Sequence, residues 1–151
     1  MTLHKPTLAD IPEMQALVRP YIDEGTILER SSDEMATTIR SYTLAKEGPT
    51  LVGFVALHVH SPELAEVRSL VVAKTYQGKG IGKALVLGAV EEGKKLGLSR
   101  ILTLTFQKAF FEKLGFEEVN KEDIPEHKVW QDCIRCKLFP VCNESALIIT
   151  L

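Results

Sequence analysis

From residue 10 onward the apolar positions switch between two periods. Ile11, Met14, Leu17 and Val18 recur at helical spacing behind Asp10, a suitable N-cap, and Pro12, which suits a first helical turn. The spacing predicts a helix to about Tyr21 that ends before Gly25. Ser31 or Ser32, followed by Asp33 and Glu34, opens a second helix with Met35, Ile39 and Tyr42 on its inner face. Its end is ambiguous, because Tyr42 to Ala45 reads equally as a short strand. After the turn Glu47-Gly48-Pro49-Thr50, the segment Leu51 to His60 takes up period two: Val52, Phe54 and Ala56 alternate against Val55, Leu57 and Val59. Ser61-Pro62-Glu63 turns the chain into a more apolar strand, Ala65 to Ala73, antiparallel to the first. A glycine-rich loop from Gln77 to Gly82 then opens a helix marked by Ile81, Ala84, Leu85, Gly88, Ala89 and Leu96 and stopped at Gly97. Ile101 to Phe106 predicts a strand and Ala109 to Leu114 a short helix closed by Gly115. Phe116 to Val119 and Ala146 to Leu151 predict terminal strands. The sum is an α/β fold, a mixed sheet with helices on its faces.

The chain has 151 residues, enough for one domain over residues 1–151 with a proper core and no staples. Its 45% hydrophobic and 25% charged content is ordinary for a globular domain. With a net charge of -2, it has no basic excess to neutralise phosphates, which argues against a nucleic-acid partner. No apolar run approaches the ~20 residues that cross a bilayer, so no membrane partner is expected. Met1 to Asp10 lacks the blocks of a secretory signal, and the expected compartment is the cytoplasm. A homodimer is compatible with the sequence but not specified by it.

The most informative stretch runs from Arg68 to Gly82. A buried strand enters a loop carrying Gly78, Gly80 and Gly82, and the loop opens a helix. Backbone N–H groups can turn inward together there, and the helix start adds unpaired donors and a positive dipole end. That makes an anion site sized for a pyrophosphate. The spacing G-x-G-x-G is not the G-x-G-x-x-G of dinucleotide-binding folds, and the G-x-x-x-x-G-K-[ST] loop is absent. Taken alone, the glycines equally describe a helix N-terminus that happens to be glycine-rich.

The whole block resembles the acyl-CoA-binding motif of the GCN5-related N-acetyltransferases, a strand ending L-x-V followed by Q/R-x-x-G-x-G/A. Here those positions are Leu70, Val72, Gln77, Gly80 and Gly82. Phe111 to Phe116 matches the family's F-x-x-x-G-F helix, and the order of elements matches along nearly the full chain. The resemblance implies the acyl-CoA N-acyltransferase fold, with a mostly antiparallel central sheet. It implies acetyl-CoA as co-substrate and no metal in the chemistry. It places the CoA pyrophosphate on the amides of Gln77, Gly78, Lys79, Gly80, Ile81 and Gly82, and pantetheine along Leu70, Val71 and Val72.

The N-terminal half is similar to the acetyltransferase domain of N-acetylglutamate synthases. The similarity is carried by Asp10-Ile11-Pro12, Arg19-Pro20-Tyr21, Glu24 to Leu28, Arg30-Ser31 and the strand Glu66 to Val72. It implies a short, stand-alone enzyme that acetylates L-glutamate at the head of arginine biosynthesis. Two carboxylates call for cations, and arginine binds them bidentately. Arg30 matches a substrate-binding arginine of that family, though a solvated arginine at a helix start reads the same way. Arg68 and Lys108 are further candidates; the side chain of Arg68 is free to point to either face. The long enzymes carry an arginine near Lys108, and this chain does not.

The acceptor amine must lose a proton before it attacks. Glu66 is the expected base, directly or through water; the alternative is a rim residue pairing with Arg68 or a lysine. His58 and His60, two apart on the neighbouring strand, are alternative relays or plain half-buried strand residues. A backbone N–H near Leu70 or Val71 is the expected oxyanion donor. Many members carry a tyrosine in the final helix as general acid. Phe111 stands in that place, so no general acid can be named.

Cys133, Cys136 and Cys142 lie in a segment at about 127–145, spaced C-x2-C-x5-C, with His127 the nearby histidine. Half a zinc site is present in that spacing; a loop of reduced thiols is the competing description.

Overall fold

The computed structural model describes residues 1–124 and 144–151. His127, Cys133, Cys136 and Cys142 fall outside the described residues. The helices are α1 (Ile11–Asp23), α2 (Ser32–Thr37), α3 (Ile81–Leu96) and α4 (Lys108–Lys113). The strands are β1 (Thr2–His4), β2 (Tyr42–Glu47), β3 (Thr50–Val59), β4 (Leu64–Val72), β5 (Arg100–Thr105), β6 (Glu117–Val119) and β7 (Ser145–Thr150). They form one sheet in the order β1-β2-β3-β4-β5-β7-β6. Every neighbouring pair is antiparallel except β4 and β5.

Local chemistry accounts for the element ends. Ser31 accepts from the Glu34 amide at 3.1 Å while Glu34 reaches back to the Ser31 amide, a capping box that starts α2. Asp10 stands at the N-cap of α1, but its carboxylate accepts from the amide of Thr7 at 2.8 Å and closes the preceding turn instead. Tyr42 to Ala45 resolves as strand: Tyr42 ends the helical segment and opens β2, while Met35, Ile39 and Tyr42 all join the core beneath α1. The short β1 carries no apolar alternation and was not among the predicted strands; its three residues are exposed.

Alternation divides the sheet between two cores. On one face, Val55, Leu57, Ala65 and Val67 pack against Ile81, Leu85, Val86 and Ala89 of α3. On the other, Leu44, Phe54, Ala56 and Val71 pack against Met14, Val18 and Ile22 of α1 and Met35 of α2. Each fully buried aliphatic side chain of this kind contributes about 1.5–3 kcal/mol. A Cβ at position 53 would lie 2.7 Å from the Val71 carbonyl oxygen, so the tight approach of β3 to β4 needs glycine there.

Two irregularities of β4 shape the functional face. Phe54 pairs with Val71 and Ala56 with Arg68, so β4 carries one residue more than β3 across that span. Ser69 sits in this bulge at a φ of 55°, in the left-handed region. On its other edge β4 pairs with β5 only through Leu64–Arg100, Ala65–Ile101 and Glu66–Leu102. Beyond Glu66 the ladder stops, and just past it the Thr103 hydroxyl bridges to the Val67 carbonyl at 3.1 Å.

Candidate active site

The opening between β4 and β5 leads into two cavities. One, of about 620 Å³, runs along Val67, Leu70 and Val72 of β4 and Thr103 and Thr105 of β5 to Gln77, Gly78, Gly80, Ile81 and Gly82. The other, of about 610 Å³, lies under the connection between α1 and α2 and is lined by Arg19, Arg30, Glu34 and Glu66 among others. Thr26, Ile27, Arg68, Ser69, Leu104, Phe106 and Glu144 line both. The cavities therefore meet at the bulge.

The first cavity ends at the N-terminus of α3. Gly78 and Gly80 take φ of 80° and 81°, a conformation that turns successive amides to one side. The first turn of α3 carries no acid, and Lys83 lines the cavity beside it. Lys79 points elsewhere, its Nζ 5.0 Å from the Tyr76 ring centre, and does not line the cavity. Val71 is buried under α1 and does not line it either. The carbonyl of Val72 already accepts from the Tyr21 hydroxyl at 2.5 Å. Sequence reading assigned Tyr21 no role beyond its place in the family resemblance and assigned none to Tyr76, Lys83 or Phe110; of these three only Lys83, in the first helical turn after the glycines, carries a readable signal.

In the second cavity the expected residues gather. Arg30 is largely covered, 13% exposed at its side chain, with Nη1 4.0 Å from Glu34 Oε2. Arg68 turns toward the α1–α2 face, where Nη2 donates to His58 Nδ1 at 3.0 Å. Burial holds the Tyr42 phenol above its ordinary pKa, while the charges of Arg30 and Arg68 pull it down, which brings both cations close to this one ring. Arg19 is raised by its hydrogen bond to Glu29, at 2.8 Å.

Glu66 is the one charged residue buried among the described residues, 5% exposed. Its Oε1 lies 2.9 Å from His60 Nε2. The partner expected for a mere rim residue, Arg68 or a lysine, is instead a histidine just past the end of β3. Lys108 is not brought to the site: its Nζ pairs with Glu118 at 2.8 Å, the hydrogen bond raises its pKa, and it lines neither cavity. Helix α4 places it on the β6 side. Phe111 is buried against Phe110 and Phe116. No helix among the described residues is long and apolar enough to cross a membrane.

An opened parallel pair, a glycine-turned helix start and a buried carboxylate in the adjoining cavity can hold an anionic acyl carrier beside an amine. The comparisons agree. The chain is 33% identical over 144 residues to an uncharacterized N-acetyltransferase, CT2212, of Chlorobaculum tepidum, covering 95% of this chain and 92% of that protein. It is 26% identical over 129 residues to the amino-acid acetyltransferase of Pasteurella multocida, covering 84% of this chain but only 29% of that longer protein. The structure superposes with a TM-score of 0.88 on the N-acetylglutamate synthase of Neisseria gonorrhoeae complexed with coenzyme A and N-acetyl-glutamate, at 24% identity, over 99% of this chain and 35% of that one. The fold is thus shared with that structure, and residues 10–116 match the model of the acetyltransferase (GNAT) family, to which this chain belongs.

Proposed function

We propose that this chain transfers the acetyl group of acetyl-CoA to the α-amine of L-glutamate, giving N-acetylglutamate, as the first step of arginine biosynthesis. The observation that carries the reading is the junction. An anion cradle lies at the end of one cavity, guanidinium groups and the buried carboxylate of Glu66 line the other, and the two meet at Arg68 and Ser69 of the bulge. The amino-acid acetyltransferases among the relatives, and the ligands of the Neisseria gonorrhoeae synthase, support acetyl-CoA and an amino acid as the pair.

In this reading the amides from Gln77 to Gly82 hold the pyrophosphate of acetyl-CoA, with Lys83 adding charge. Arg30 and Arg68 take the acceptor's carboxylates. Glu66 removes the ammonium proton, directly or through one water. The freed lone pair attacks the thioester carbon. The developing oxyanion is met by an amide of the bulge, where Ser69 and Leu70 have no partner in the β3 register. Collapse breaks the C–S bond, the thiolate leaves, and the second proton of the acceptor nitrogen passes through solvent to that thiolate, so no general acid at Phe111 is required. Positioning then supplies most of the acceleration.

L-Glutamine is the second reading. Glu29, Glu34 and Glu144 also line the acceptor cavity, where they suit an amide N–H, and Lys108 is turned away from it. The test is release of CoA thiol from acetyl-CoA against each common amino acid in turn. The highest kcat/KM is expected for L-glutamate. Turnover only with peptides would replace the acceptor, and acetyl-CoA binding without turnover of any amine would make the chain a sensor.

A further inference from the structure

Resting on the assignment of Glu66 as the base, we propose that His60 is its positioning residue: Nε2–H of a neutral His60 fixes one carboxylate oxygen and leaves the other to take the amine proton. His58 on β3 and His60 just past its end are two residues apart, and the ladder sets Glu66 directly opposite His58, with His60 on the diagonal. The rings of the two histidines meet edge to face at 4.8 Å, which fixes the plane of His60. His58 is already engaged, because Arg68 can only donate and His58 Nδ1 must therefore accept. His60 is the residue that reaches the carboxylate, at 2.9 Å between side chains only 1% and 6% exposed.

Burial also fixes the tautomer. His60 Nδ1 is buried with no hydrogen-bond partner among the described residues. An imidazolium would put a buried N–H there without an acceptor. So would a protonated Glu66 donating to Nε2. A buried N–H without a partner is rarer than a bare lone pair and leaves a desolvated donor unmatched. The arrangement that avoids it is Nε2–H donating to a carboxylate, with a lone pair at Nδ1. Oε1 is then held, and Oε2, which has no hydrogen-bond partner among the described residues, is the acceptor atom in the cavity that Glu66 lines. When the ammonium proton reaches Oε2, the hydrogen bond at Oε1 stays as it was and His60 keeps its proton throughout.

Misplacing a catalytic group by about 1 Å costs on the order of 100-fold. His60→Leu removes the donor and keeps an apolar side chain. His60→Gln can present an N–H near the position of Nε2, and His60→Asn only near that of Nδ1. Initial rates with acetyl-CoA and L-glutamate, and with L-glutamine in parallel, are measured for the three variants, for Glu66→Gln and for Glu66→Gln/His60→Leu. Thermal melts establish that each is folded. The expected result is a kcat lowered roughly 10- to 100-fold in His60→Leu and His60→Asn, with the acetyl-CoA KM within about 2-fold. His60→Gln should recover most of the loss. Adding His60→Leu to Glu66→Gln should change kcat by less than about 2-fold, because a group acting through another has nothing left to act on. Should the Leu variant not fold, the contrast of Gln with Asn decides alone. Equal kcat in folded Gln and Asn variants, or an undiminished effect of His60→Leu in the Glu66→Gln background, overturns the positioning role. A fast Glu66→Gln enzyme overturns the base assignment itself. A slow Glu66→Gln beside a His60→Leu at the wild-type rate overturns only the role of His60.

Discussion

The hydroxyl of Tyr21 donates to the carbonyl of Val72 at 2.5 Å and receives the side-chain amide of Gln77 at 2.7 Å. One phenol thus ties the end of α1, which walls the acceptor cavity, to the last residue of β4 and to the first residue of the glycine loop. Lys74, paired with Glu24 and 5.3 Å from the Tyr21 ring centre, braces the same corner.

Tyr21→Phe keeps the ring and removes both hydrogen bonds. Each is worth about 0.5–1.5 kcal/mol, so unfolding free energy should fall by on the order of 1–3 kcal/mol. Because Gln77 would lose its anchor, the acetyl-CoA KM should rise about 3- to 10-fold, a loss in the same energy range. Urea melts and acetyl-CoA titrations check the two effects separately. A destabilised variant with unaltered acetyl-CoA affinity would mean that the bond serves the fold alone.

The cradle is tested from inside. A Cβ at Gly80 would meet nothing within 4 Å, so the side chain of Gly80→Asp has room in the folded state. The left-handed backbone there costs a non-glycine residue about 1–2 kcal/mol, least for Asp and Asn. The carboxylate would stand at the helix start where the pyrophosphate is proposed to bind. Calorimetry should find acetyl-CoA affinity lost by more than about 100-fold, equivalent to roughly 3 kcal/mol. Wild-type affinity in a folded variant would move the pyrophosphate elsewhere.

How much of this was legible in the sequence follows from the range of the interactions. The alternation from Phe54 to Leu57 and the glycine loop that opens α3 are local signals, and both held; Val52 instead packs with Val55 and Leu57, because an irregularity in the β2–β3 register leaves it as an extra residue between Leu51 and Gly53. Tyr42 to Ala45 stayed ambiguous because Tyr42 completes one core stripe for α2 and begins another for β2. Strand β1 was missed because three exposed residues carry no period. The bulge has no glycine to announce it: Ser69 is forced into the left-handed region by the register of two strands, which is a tertiary property. For the same reason the sequence named both His60 and Glu66 but could not join them, since their meeting depends on the diagonal of a paired ladder. Lys108 failed differently. Its element was read correctly, but the direction of its side chain was set by Glu118 on β6.

Tyr42 gives the protein an alkaline signature. Burial raises its pKa first of all, against Arg30, Arg68 and a hydrogen bond with Thr38. The folded state therefore keeps a proton that the unfolded chain releases near pH 10. Where the folded state binds more protons, stability falls as pH rises, so this loss begins at the unfolded pKa and continues toward the higher folded one. Tyr42→Phe cannot show it. At neutral pH the variant should be less stable by about 1 kcal/mol for the lost hydrogen bond. That gap should close between about pH 9 and pH 11 in urea melts of the two proteins. A gap independent of pH would place the phenol in contact with solvent.

In the proposed reading the acceptor preference turns on Arg30, which is covered on the cavity wall and held near Glu34. Guanidinium groups fixed on the α1–α2 connection and on β4 can span only a narrow range of carboxylate separations. Aspartate is one methylene short of glutamate, and glutamine offers an uncharged amide. Losing one charge-assisted contact costs on the order of 1.5–3 kcal/mol, or about 10- to 150-fold in kcat/KM. Arg30→Ala should therefore raise the glutamate KM and narrow the gap between glutamate and glutamine, with kcat less affected than KM. Lys108→Ala should leave both acceptors unchanged, because its charge is spent on Glu118 outside the cavity. Equal kcat/KM for glutamate and glutamine in the wild type would shift the assignment to the second reading. In that case Glu34→Gln, rather than Arg30→Ala, should be the substitution that separates the two acceptors, since an amide N–H needs an acceptor and a carboxylate does not.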